Sequence, residues 1–87
     1  MEVQSLVAWN LRRLRVERGI SQDDLALTAG VERAYVGYLE RAARNPTIVT
    51  LEKLADALGV QMAQLFQEPD EGETAPGTLK AGRKKAR

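Results

Sequence analysis

The residue types able to do chemistry in this 87-residue sequence gather between Gln22 and Arg41, in the run QDDLALTAGVERAYVGYLER. Wound as a helix at about 100° per residue, the second half of that run puts Val36, Leu39 and Glu40 on one side and Ala34, Gly37, Tyr38 and Arg41 on the other, with Arg33 and Tyr35 on the flanks. The outer side is small, aromatic and basic. Such side chains donate hydrogen bonds and pack against a partner; they hold no nucleophile beside a base. The rest of the chain supplies none either. With no cysteine and no histidine, thiol nucleophiles, zinc fingers, disulfide scaffolds and imidazole acid–base catalysis are excluded together. There is also no phosphate-binding glycine loop and no metal-ligand cluster in the sequence. The expectation is a protein that is not an enzyme, with no cofactor, no metal and no evident small-molecule ligand.

The elements that must position this face are all helical. Apolar positions recur at three and four through residue 66, and strand-like alternation is missing. A first helix is expected from about Val3 to Arg18, with Val3, Val7, Leu11 and Leu14 as its stripe and Gly19 as its stop. Ser21 is a good N-cap for a second helix, with Asp24 as the capping-box acid and Ile20 and Leu25 as a hydrophobic staple; Gly30 closes it after Ala29. A third helix follows at once, from about Glu32 to Arg41. Two helices joined by so tight a turn must cross closely, and Ala26 and Gly30 supply the small residues while Leu25, Ala29, Val31, Val36 and Leu39 supply buried inner faces. Asn45-Pro46 forces an extended residue, after which Thr47 caps a fourth helix carrying Ile48, Leu51, Leu54, Ala55 and Leu58, ended by Gly59. A short fifth helix, about Gln61 to Gln67, offers Met62, Leu65 and Phe66 to the core or to a partner. Trp9 and Val16 fall on the polar side of the first helix beside Arg12 and Arg13, either as isolated exposed apolar residues or as a second contact surface.

Residues 1–67 therefore read as one small all-α domain, and 68–87 as a tail. The tail, EPDEGETAPGTLKAGRKKAR, holds two of the three prolines and only Leu79 as a large apolar residue, too little burial to offset its ordering entropy, so disorder is expected. The net charge of +1 averages an uneven pattern, with eight basic and eight acidic residues through position 66, four acidic over 67–79 and five basic over 80–87. No apolar run approaches the roughly 18 residues of a membrane span, and the absence of cysteine suits a reducing cytoplasm. The expected location is cytoplasmic, with no membrane contact.

From Leu11 to Phe66 the sequence resembles the Cro and phage-repressor type helix-turn-helix proteins, the XRE family, because caps, small residues and apolar positions agree together. The stretch VERAYVGYLERAARNPT is most similar to restriction-modification controller proteins and the short regulators like them. The resemblance implies a compact five-helix, lambda-repressor-like DNA-binding domain, its second and third helices forming the helix-turn-helix and the third lying in the major groove. Residue by residue, it implies that Gln22 anchors a phosphate at the start of helix 2. Arg33 takes the first reading position, where arginine pairs bidentately with guanine O6 and N7. Ala34 offers a methyl to thymine, and Tyr35 and Tyr38 pack on sugars or donate to phosphates, or else belong partly to the core. Arg41 lies on the same DNA-facing side. Arg44 and Asn45 match positions touching the backbone or minor groove, Asn45 having a second reading as the cap of the turn before Pro46. Arg15 and Glu40, which on their own suggest a catalytic pair, are implied instead to form a partly buried ion pair that locks helix 3.

The function implied is a sequence-specific transcriptional regulator, a repressor or autoregulator of a prokaryotic cell, binding a palindromic operator in double-stranded DNA as a homodimer and so associating with the nucleoid. Val49, Val60, Met62, Ala63, Leu65 and Phe66 carry more apolar surface than one short helix needs, and are the expected dimer interface. Two other readings are an antitoxin of a toxin–antitoxin operon, whose tail would need hydrophobic anchors beyond Leu79, and a small helical protein–protein adaptor, whose third helix would need aliphatic anchors where Arg33, Tyr38 and Arg41 stand.

Overall fold

Side-chain caps set where the helices start. In the computed structural model, which describes residues 1–70, α1 (Val3–Glu17) begins because the Glu2 carboxylate accepts the backbone N–H groups of Gln4 (3.0 Å) and Ser5 (3.1 Å). The Ser5 hydroxyl also donates to it at 2.8 Å, and these bonds hold the Glu2 carboxyl below the usual carboxylate range. Ser21 Oγ accepts the Asp24 N–H (3.0 Å) to open α2 (Gln22–Ala29), and Thr47 Oγ1 accepts the Thr50 N–H (3.0 Å) to open α4 (Ile48–Leu58). Glu32, at the corresponding place before α3 (Arg33–Glu40), makes no such bond. Gly30 and Gly59 end α2 and α4 in the left-handed conformation, at φ 76° and 74°.

The end of α3 is unusual. The N–H of Ala43 bonds to the Tyr38 carbonyl (2.8 Å) and that of Ala42 to the Leu39 carbonyl (3.1 Å), the paired bonds of a Schellman motif. The left-handed residue in it is Ala42, at φ 57°, where glycine is usual.

Leu11, Val36, Leu54 and Leu65 are fully enclosed, joined by Val7, Leu14, Leu25, Ala26, Leu39, Leu51 and Leu58 in one core. α2 packs on α3 and α4, while α1 lies across α3 and the C-terminal turn. Five expectations are corrected here. The fifth helix is a 3₁₀ turn, Met62–Phe66, so the described residues form four α-helices. Five residues are too few to recover the cost of nucleating an α-helix, and this turn is held instead by the Gln64 N–H on the Gln61 carbonyl and the Gln61 N–H on Gln64 Oε1. Val3 and Ile48, placed on core stripes, are exposed, since each opens its helix and overhangs the core. Trp9 is buried, with the Arg13 guanidinium 5.2 Å from its ring centroid. Leu65, placed in the dimer interface, is 0% exposed and belongs to the chain's own core.

A buried polar residue, Asn10, secures that C-terminal turn. Its Nδ2 donates to the carbonyls of Leu6, Leu65 and Gln67 at 3.1, 3.0 and 2.9 Å, and its Oδ1 accepts from Arg13 Nη2 at 3.0 Å. Those bonds hold the backbone just beyond the turn against α1. The expected disordered tail lies, from residue 71 onward, outside the described residues.

Candidate nucleic-acid interface

The outer face of α3 is only useful if α3 cannot roll. Arg15 of α1 grips Glu40, the last residue of α3, with a fork in which Nε donates to Oε2 and Nη2 donates to Oε1 at 2.9 Å. The two side chains are 8% and 3% exposed. Arg15 Nη1 also donates to the Ile20 carbonyl (2.8 Å), and Gln22 Nε2 donates to Glu40 Oε1 (3.0 Å). One carboxylate thus ties α1, the start of α2 and the end of α3 together. The two bonds of this bidentate fork restrict the rotation of α3 more than their net contribution to stability would suggest, because desolvating both charges offsets much of the attraction.

Gln22, expected at a phosphate, is therefore a half-buried member of this network at the first position of α2. It lies over Gly37, where an added Cβ would come 3.3 Å from Arg41 Nη1 and 3.7 Å from Gln22 Oε1. A glycine inside a helix costs about 1 kcal/mol relative to alanine; here it leaves room for the Arg41 guanidinium, which an added Cβ would press by a few tenths of an ångström, while Gln22 would only be in ordinary contact.

At the N-terminal end of α3, Arg33 is exposed and its Nε lies 2.6 Å from Asp23 Oδ1. That pair engages the Nε side of the guanidinium and leaves the Nη1/Nη2 edge, which can also make a bidentate contact, without a partner among the described residues. Ala34 is exposed beside it, and Tyr35 is half-buried and packed on the core. At the other end, the guanidinium carbons of Arg41 and Arg44 stand 5.3 and 4.7 Å from the Tyr38 ring centroid. Gln4 Nε2 donates to the Arg44 carbonyl (3.0 Å), fixing the α3–α4 loop to the start of α1. Asn45 is exposed and makes no side-chain hydrogen bond among the described residues, so it does not cap the turn before Pro46.

Gln22, Arg33, Ala34, Tyr38, Arg41 and Arg44 are thus brought to one side of the α2–α3 unit and its following loop. Of the expected interface residues other than Leu65, Val49, Ala63 and Phe66 are exposed, and Val60 and Met62 are half-buried against the core. Ile48 and Leu27 add exposed apolar surface.

The helix-turn-helix family model HTH_3 matches residues 11–65, well over half of the chain. The chain belongs to the XRE helix-turn-helix family. This XRE domain is 42% identical over 71 residues to the HTH-type transcriptional regulator y4dJ of Sinorhizobium fredii, a match covering 82% of this chain and 92% of that one. Among solved structures it is similar to the restriction-modification controller protein C.AhdI from Aeromonas hydrophila, with 41% identity, a TM-score of 0.71, and coverage of 72% of this chain and 96% of that one. It is also similar to the controller protein C.Esp1396I, solved as a tetramer in complex with its natural 35 base-pair operator, with 33% identity, a TM-score of 0.70, and coverage of 76% and 87%.

Reading the XRE sequence alone missed Asp23, Asn10 and Ala42. Asp23 stands ten residues from Arg33 across the turn, so no helical spacing links them. Asn10 did carry a signal, since it continues the buried face of α1 three residues after Val7.

Proposed function

We propose that this chain is a transcriptional repressor or autoregulator that binds a palindromic operator as a homodimer, α3 entering the major groove. The observation that carries this is the buried Arg15–Glu40 fork, which holds α3 in one orientation while Arg33, Ala34, Tyr38 and Arg41 remain on its outer side. In this reading Arg33 turns its free Nη fork to guanine O6 and N7, and Ala34 meets a thymine methyl. Tyr35, Tyr38, Arg41, Arg44 and Asn45 hold the register on the sugar–phosphate backbone. Gln22 keeps α2 against α3 and presents the first backbone N–H groups of α2 to a phosphate. A homodimer would cover Val49, Ala63, Phe66 and the exposed parts of Val60 and Met62, and set two copies of α3 about 34 Å apart, one helical turn of DNA. Such a protein works where the DNA is, on the nucleoid in the cytoplasm.

Titration of a selected operator tests the reading. Arg33→Ala should weaken the specific site by about 1–3 kcal/mol and relax preference at one base position, with nonspecific binding nearly unchanged. Equal losses on specific and random duplexes would remove Arg33 from base reading.

A further inference from the structure

The DNA-facing residues described above come from α2, α3 and the loop after them, and α1 enters only as a support, through Arg15 on Glu40 and Gln4 on the Arg44 carbonyl. One arginine of α1 is not accounted for in that way. Arg13 pairs with Glu17 (3.2 Å) and Arg15 with Glu40, but Arg12 has neither a carboxylate nor a hydrogen-bond acceptor among the described residues. Its Nε is buried and unpartnered, as is that of Arg13, but Arg13 spends its Nη groups on Glu17 and Asn10, whereas those of Arg12 have no acceptor among the described residues and are the groups through which it could meet an anion from outside.

Arg12 and Arg41 line one depression of about 280 Å³ between α1 and the C-terminal end of α3, with Ser5 and Trp9 also on its wall. Glu40 borders the same space, but both of its oxygens are already engaged by Arg15 and Gln22. The helix dipole alone would disfavour an anion at the end of α3. That objection is weakened here, because the Tyr38 and Leu39 carbonyls are taken by the N–H groups of Ala43 and Ala42, and two guanidinium groups outweigh what remains.

Position selects the anion. α3 has eight residues, so its two ends are about 12 Å apart at 1.5 Å per residue, close to the width of the major groove. With Arg33 at the base edges, the far end of α3 rises to the groove wall, where the phosphates run. We propose that Arg12 and Arg41 form a site for one backbone phosphate of the bound duplex, so that α1 clamps the DNA from outside the helix-turn-helix. The proposal rests on the DNA-binding reading above. Arg12 gives it charge without sequence information, and would weaken all duplexes alike when removed.

The test compares the full chain with Arg12→Gln, which keeps the side-chain stem, over a salt series on operator and random duplexes. The expected result is a log–log salt slope lower by about 0.9, an equal loss on both duplexes, the same base preference, and a melting temperature no lower than that of the parent. A single methylphosphonate placed at the contacted phosphate should erase the difference between the two proteins. An unchanged slope with the parent still binding operator overturns the phosphate site and leaves the DNA-binding reading intact. If the parent itself shows no salt-dependent binding, both fall. Saturable binding of inorganic phosphate that leaves the duplex slope of Arg12→Gln unaltered would make this a free-anion site and overturn the proposal too.

Discussion

Replacing Arg15 with alanine strands an enclosed carboxylate. The Glu40 side chain is 3% exposed and would keep only the Gln22 amide, losing both arms of the Arg15 fork, while the Ile20 carbonyl loses the Arg15 Nη1 donor. Removing one partner of a buried pair costs about 3–5 kcal/mol. For a domain of this size the whole stability is about 0.05–0.15 kcal/mol per residue, so the variant loses about a quarter of it or more. At about 4–8 °C per kcal/mol, even the lower figure is a fall of roughly 12–24 °C in Tm. Far-UV circular dichroism melts read this directly. The companion is Arg15→Met with Glu40→Leu, which leaves no unpaired charge and should recover most of the loss. DNA affinity need not recover with it, since an apolar pair does not fix the rotation of α3 as a fork does. A single variant melting within about 4 °C of the parent, or a double variant no better than the single, would refute this account of Glu40.

Asn10→Ala should cost about 2–4 kcal/mol, because the Leu65 and Gln67 carbonyls lose their donor; a Tm within about 3 °C of the parent would show that water replaces the amide. Ala42→Gly should raise stability by about 0.5–1 kcal/mol by relieving a left-handed alanine at φ 57°, and a lower melting temperature would contradict the Schellman assignment. The lowered Glu2 carboxyl predicts a pH effect at the start of α1, its first cause being the Ser5 hydroxyl bond. A depressed folded-state pKa contributes stability that is present above the ordinary carboxylate range and lost as pH falls through the depressed value. Amide exchange at Gln4 and Ser5 should therefore quicken on acidification in the parent and be insensitive to pH, once corrected for intrinsic rates, in Glu2→Gln; identical behaviour would remove the cap.

What could be read from the sequence was local or periodic. Ser21, Thr47, Gly30 and Gly59 bound helices by chemistry within four residues, and Leu11, Leu14, Leu25, Val36, Leu39, Leu51, Leu54 and Leu58 lie on stripes that did become core. Arg15 and Glu40 are 25 residues apart and no spacing joins them; only the resemblance did. Ends and edges were less legible. Val3 and Ile48 have the right period but stand where a helix overruns its neighbours, and Trp9 is covered by the Arg13 side chain, which a helical projection counts as polar. Leu65 was ambiguous between core and partner because a five-residue segment has too few turns to define a face. The Asp23–Arg33 pair and the alanine in a glycine position at residue 42 depend on how α2 meets α3 and how α3 ends, which periodicity does not encode.

On the proposed function, α3, held in orientation by the Arg15–Glu40 fork, reads double-stranded DNA as one half of a symmetric pair. Selection by the full chain from a randomised duplex pool, followed by a footprint on the enriched sequence, tests it most directly. The predicted result is convergence on two inverted half-sites with protected centres about 34 Å apart, and loss of base preference at one position of each half-site with Arg33→Ala. A pool that does not enrich, or binding that is the same on every duplex, would contradict it.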